Sequence, residues 1–250
     1  MMSLVRAELL KVRSSRDVWW IAIVPVLVSA ATTASFVGYA TSAGGPLETG
    51  EPGIRASMYG AVFTATVLAM FYGAQIVTNE FRHGTATATF LTTAQRRRVI
   101  AAKAVAAAVT GVVLAVIAAA VNLAIAVPWL ASLGFEINIL DPEVGGVLVS
   151  AAASAPLFGV LGVGLAALIR NPTVTIIVAI AWLFFVENVL MTAIPASGNW
   201  LPSGAADAIA GNRAVDITVA PIWAGALVLL AWAAVTLTAG QAVMARRDLA

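Results

Sequence analysis

Six stretches of roughly 20 or more apolar residues run along the chain, at about 18–40, 57–79, 100–127, 144–169, 173–194 and 221–244. An α-helix rises 1.5 Å per residue, so about 20 such residues cross the roughly 30 Å of hydrocarbon in a bilayer. A water-soluble core cannot absorb six runs of this length, because the surface of a soluble domain must still face water. The mean hydropathy of +0.96 and a charged fraction of 10%, against about 25% in soluble domains, say the same. The fourth and fifth runs are separated only by Arg170-Asn171-Pro172. One helix through both would overrun the bilayer, so this triplet reads as a tight turn at the membrane surface. The chain is therefore expected to be an all-α polytopic integral membrane protein with six transmembrane helices. With no clear internal repeat and no long linker, residues 1–250 form one transmembrane domain.

The charges give the direction of the spans. Arg6, Lys11, Arg13 and Arg16, then Arg82, Arg96, Arg97, Arg98 and Lys103, then Arg170, and finally Arg246 and Arg247 all fall on one side of the predicted membrane. The other side holds Arg55 and Arg213 with Glu48, Glu51, Glu136, Asp141, Glu143, Asp207 and Asp216. The positive-inside rule makes the basic side cytoplasmic, with both termini there. The same asymmetry accounts for the pI near 9.4 without nucleic acid, since these cations set topology and meet anionic lipid. Trp19, Trp20, Trp129, Trp200 and Trp223 lie near predicted span ends, as an aromatic belt would. Trp182 and Trp232 lie inside spans and read as packing residues.

Much chemistry is excluded. The chain has no cysteine and a single histidine, His83, which removes disulfides, thiolates and paired-histidine metal motifs. It contains no G-x-x-x-x-G-K-[ST] and no G-x-S-x-G. No catalytic, cofactor-binding or metal-ligating residue is assigned, and active transport needs an ion gradient or an ATPase on another chain.

Three segments outside the spans carry functional information. The leader, residues 1–17, is too long and polar to begin a cleaved signal peptide and reads as retained. Its Met2, Val5, Leu9 and Val12 recur at i, i+3, i+7 and i+10 on one helical face. That pattern fits an interfacial helix on the inner leaflet, or a simple topology anchor. The connection after span two, Asn79 to Lys103, opens on Glu80, Arg82 and His83. It then passes Gly84 into a threonine-rich run and closes on Arg96-Arg97-Arg98. It reads as a short helix packed under the bundle or as a solvated positive loop. The loop 195–220 is extracellular and long enough to fold back as a re-entrant segment, with a half-helix capped by Ser203 as one form. Within the spans, Gln75, Asn122, Glu187 and Asn188 are polar and are candidates for a translocation path. Glu187 has no lysine or arginine available in the membrane. It is protonated, bonded to a neighbouring helix, or lining a wet cavity. Ala155, Gly159, Gly162 and Gly164 read as close helix packing.

The ordered features resemble the membrane subunits of ATP-binding-cassette exporters of the type-2 permease family, in particular bacterial half-size six-span permeases. The resemblance rests on Ala7-Glu8-Leu9-Leu10-Lys11 in the leader and on Glu80-Phe81-Arg82-His83-Gly84-Thr85 after span two. It extends through the threonine run to Arg96-Arg97-Arg98 and Lys103, and to Leu201-Pro202-Ser203-Gly204-Ala205-Ala206 before the last span. Ala94-Gln95 departs from the pattern, where many members carry a proline.

The resemblance implies a coupling segment over 80–99, with Glu80, Phe81, Arg82, His83, Gly84, Thr85, Thr87, Thr89, Arg96, Arg97 and Arg98 facing a cytosolic ATPase. It also implies an interfacial helix carrying Val5, Glu8, Leu9, Lys11 and Val12. Two ATPase subunits, with ATP and Mg bound to them rather than to this chain, would dock beneath a pair of permease chains forming a homodimer. The assembly would export a lipid, drug, peptide or other amphipathic substrate. The competing readings are a stand-alone secondary carrier using Glu187 and a non-transporting membrane scaffold.

Overall fold

The computed structural model describes residues 4–8, 10, 18–45, 47, 53–82, 96–135, 142–211 and 220–246. They are helical nearly throughout, as backbone in hydrocarbon must satisfy its own hydrogen bonds. The leader is helical over 4–8 and at Leu10. The helices that follow are α1 (Val18–Ala40), α2 (Gly53–Arg82), α3 (Arg96–Ser132) and α4 (Pro142–Ile169). The fifth span is composite, built from α5 (Pro172–Ile180), a π-helical turn (Ala181–Val186) and α6 (Glu187–Ala193). A 3₁₀ turn (Pro195–Trp200), α7 (Pro202–Ala210) and α8 (Ile222–Arg246) complete the chain. Among the described residues six segments are long and apolar enough to cross a membrane, from Ile23–Ala40 to Ile222–Met244. They match the six runs read from the sequence to within a few residues at most ends. The exception is α3, whose 37 residues make a rod about 55 Å long, well beyond the hydrocarbon thickness.

The bundle is organised around α4. Lipid tails are as apolar as leucine, so helices in a bilayer associate by close packing, and small residues permit it. A Cβ on Gly162 would run into the Met70 carbonyl of α2, and one on Gly73 of α2 into the Gly159 carbonyl of α4. A Cβ on Gly111 of α3 would lie 2.7 Å from the Ala155 carbonyl oxygen, and one on Gly240 of α8 2.8 Å from that of Gly164. The four small residues of α4 are thus contact points for three other helices, which is the packing role expected of them. The core beside them contains Phe158, Met70, Leu114, Leu130 and Leu229.

Several polar side chains within the bundle make hydrogen bonds that tie it together. Thr66 and Thr110 donate to the carbonyls of Val62 and Ala106 one turn back. The hydroxyls of Thr32 and Thr64 join α1 to α2 at 2.6 Å, and the Asn122 amide donates to Thr33 Oγ1 at 3.1 Å, joining α3 to α1.

The turn between α4 and α5 has the form the sequence predicts. Arg170 adopts a φ of 60°, and the Asn171 side chain accepts from the Val174 N–H at 3.1 Å. Pro172 opens α5, where its missing N–H costs nothing. The outward faces of α1, α3, the fifth span and α8 carry Leu27, Val116, Ile177, Phe185, Val189 and Val235, all strongly exposed, as expected for surfaces covered by lipid.

Candidate functional site

Two buried polar contacts stand at opposite ends of the bundle. The first is at the basic end. Lys103, in the second turn of α3, is 1% exposed. Its ammonium donates to Glu8 Oε2 of the leader at 2.9 Å, to Glu80 Oε1 of α2 at 2.8 Å and to the Ile76 carbonyl at 3.2 Å. A buried ammonium is costly unless all three of its N–H donors find acceptors, and here they do. Both glutamates are themselves buried. One cation therefore fastens together the leader, the end of the second span and the start of the third.

The placement of these residues follows from helix geometry. Glu8 follows Val5 by three residues, so it shares the face that also carries Leu9 and Val12. Glu8 is buried while Arg6, Ala7 and Leu10 are exposed. That face, read as apolar from its spacing, thus presents a carboxyl to the bundle. Of the coupling segment 80–99, Glu80 and Phe81 belong to the last turn of α2, with Phe81 packed against the buried cluster that contains Val99 and Ile100. The basic cluster opens α3, with Arg97 and Arg98 exposed. Three cations in a first helical turn oppose the helix dipole, so the arrangement favours an anionic partner at this end. His83, Gly84, Thr85, Thr87 and Thr89, with Leu9, Lys11 and Val12, lie outside the described residues, as do the side chains of Arg82 and Arg96.

The second contact joins the fifth span to α7. Glu187 is fully buried, and its Oε2 accepts from the Ser203 backbone N–H at 2.9 Å and from the Ser203 hydroxyl. Its other oxygen, Oε1, is buried without a hydrogen-bond partner among the described residues. Of the three states open to Glu187 from sequence, bonding to a neighbouring helix is the one found. A half-helix does form after Pro195, but Ser203 is not its cap. Leu201 holds the cap position without a side-chain bond. Pro202 and Ser203 are the first helical residues, and the capping acceptor comes from Glu187, distant in sequence.

The four path candidates are not gathered into one lining. Gln75 is exposed on α2, Asn122 is buried against α1, and Glu187 faces α7. Asn188 is exposed, and its amide donates to the carbonyls of Leu183 and Phe184 at 3.3 and 3.1 Å. Those carbonyls sit in the π-helical turn, so Asn188 stabilises an irregularity of its own helix.

The sequence reading takes Lys103 as a topology charge and misses its burial. A signal is present, because position 103 lies inside an apolar run, and a lysine there requires a partner. Which partners it finds is not legible locally, since no helix periodicity links it to Glu8 or Glu80.

Six helices long and apolar enough to cross a bilayer, with a buried ion cluster at the basic end, are the architecture of a multi-pass membrane protein. Residues 4–188 match the family model described as ABC-2 family transporter protein, and the chain belongs to that family. Permeases of this family normally work with an ABC ATPase partner. The match includes Glu8, Glu80, Lys103 and Glu187 and ends before α7 and α8. A comparison with curated proteins finds no match.

Proposed function

We propose that this chain is the membrane-spanning half of an ATP-driven exporter. Two copies form the path, two cytosolic ABC ATPase subunits hold the ATP and Mg, and a lipid, drug, peptide or other amphipathic molecule moves outward. The basic end lies in the cytoplasm of a bacterial cell. The observation that carries this reading is the Glu8–Lys103–Glu80 cluster. The segment 83–95 leaves α2 just after Glu80 and enters α3 two turns before Lys103, so a push on it is delivered to both helices at their shared ion pair. Glu8 adds the leader to the same rigid unit. Such a segment, flanked by exposed Arg97 and Arg98, suits an ATPase surface that moves as its two subunits close. Helices locked together at one end transmit that motion as a body rather than absorbing it.

The reading is tested by gentle purification from the native membrane and mass spectrometry of what accompanies the chain. A soluble subunit bearing a P-loop, in near-stoichiometric amount, is the expected result. Repeated recovery of the chain alone from mild detergents would overturn the reading and favour a stand-alone carrier.

A further inference from the structure

The outer end is held differently, and the difference assigns Glu187 a task. The buried positions of the fifth span are Thr175, Ala179, Leu183 and Glu187, spaced four apart. In a regular α-helix, at 3.6 residues per turn, each step of four drifts by about 40°, so position 187 would stand about 120° away from position 175. The π-helical turn over Ala181–Val186 widens the helix just before Glu187 and returns it to the buried line. Single π turns of this kind concentrate at functional sites. Asn188, bonded to two carbonyls of that turn, holds the widened turn open.

The carboxyl so aimed provides the cap that α7 lacks. The first N–H groups of a helix need acceptors, and Leu201 supplies none from its side chain. Glu187 Oε2 takes both donors of Ser203, while Oε1 is buried with no partner among the described residues. The contact is therefore strong enough to seat the helix but incomplete on the side of the carboxyl.

Beyond Ser203, α7 packs closely against α8. A Cβ on Gly225 would lie 2.7 Å from the Ala205 carbonyl oxygen and 2.8 Å from the Ala208 Cβ. The adjoining 3₁₀ turn is tied separately, by Trp232 Nε1 donating to the Trp200 carbonyl at 2.8 Å and by the Ala220 N–H donating to Asn199 Oδ1 at 3.0 Å. Those ties hold the turn to α8, whereas Glu187 ties α7 to the fifth span.

We infer that Glu187 is a positioning residue that latches α7 onto the fifth span and so closes the end of the bundle opposite the Lys103 cluster, its release from Ser203 freeing α7. The name outer end rests on the exporter reading, but the latch itself is tested without ATP or partner.

The chain is naturally free of cysteine, so single cysteines report cleanly. Ala206→Cys places a thiol on the buried face of α7, and Ala151→Cys places one in the α4 core, both shielded in the native protein. Labelling by a membrane-impermeant maleimide is followed in each, with Glu187→Ala, Glu187→Gln or Ser203→Ala added. The expected result is roughly tenfold faster labelling at position 206 with Glu187→Ala, since the lost contact comprises two hydrogen bonds, and a smaller gain with Ser203→Ala. Glu187→Gln stays near the native rate, since its amide oxygen still accepts both Ser203 donors, and position 151 remains protected throughout. Native labelling at 206 in both Glu187→Ala and Ser203→Ala would overturn the latch. So would a parallel rise at 151, which would make the carboxyl a general stabiliser. A missing ATPase partner would sink the exporter reading and leave these rates unchanged.

Discussion

The two ends of this bundle bury charged or polar groups at similar depth within the protein and complete them to different degrees. At the basic end the Lys103 ammonium has three acceptors, one from the leader and two from α2. At the other end the Glu187 carboxyl has one oxygen that accepts two hydrogen bonds and one without a partner among the described residues. A fully satisfied ionic cluster resists separation, because any one partner leaves uncompensated charge behind. A half-satisfied contact gives up less when it opens. In the proposed mechanism the first contact would serve as a joint that moves as a unit and the second as a fastening that parts.

The largest effect should come from Lys103→Ala. It leaves two buried carboxylates without their cation and should cost about 3–5 kcal/mol, read as the greatest loss of thermal stability in detergent among all single changes at either end. The triple change Lys103→Met, Glu8→Gln, Glu80→Gln should recover most of that loss, because it removes the charges together. If Lys103→Ala were no worse than Glu187→Ala, the contrast between the ends would collapse.

Next in size are the single glutamates. Glu8→Gln and Glu80→Gln each keep one ion pair and should destabilise less than Lys103→Ala. They should differ in one respect: only Glu8→Gln loosens the leader, so limited proteolysis should clip the first residues faster in that variant. Equal clipping in both would show that the leader is held by something other than Glu8. Ser203→Ala should cost less again, about 1 kcal/mol, the usual net value of one hydrogen bond. Smallest is Asn188→Ala, at an exposed position. It should leave global stability almost unchanged while raising amide exchange in the π-helical turn that its side chain bridges.

The fold was largely legible in the sequence. Apolar length alone locates six spans, Arg170-Asn171-Pro172 marks a turn, and Gly159, Gly162 and Gly164 mark a helix others approach closely. The functional contacts were less legible. Glu8, Glu80 and Lys103 each occur in a motif of the family resemblance, yet their meeting depends on how three helices pack, which local periodicity does not encode. Glu187 was conspicuous as a carboxyl in a span, but its direction depends on a π-helical turn. A wheel drawn at 3.6 residues per turn rotates Glu187 away from the buried line. Ser203 illustrates the same limit. Its type suits a helix cap, and it becomes the donor to a cap supplied by another span.

Central to the proposed mechanism is that motion received at the Lys103 cluster would release the Glu187 contact at the far end. The most direct test labels Ala206→Cys from outside, in membrane vesicles holding the complex with its ATPase, with and without a non-hydrolysable ATP analogue. Nucleotide is expected to change the labelling rate severalfold in the native background. The triple change Lys103→Met, Glu8→Gln, Glu80→Gln should abolish that response while the nucleotide-free rate and ATPase binding stay native. A nucleotide response that survives the triple change at full size would contradict the mechanism.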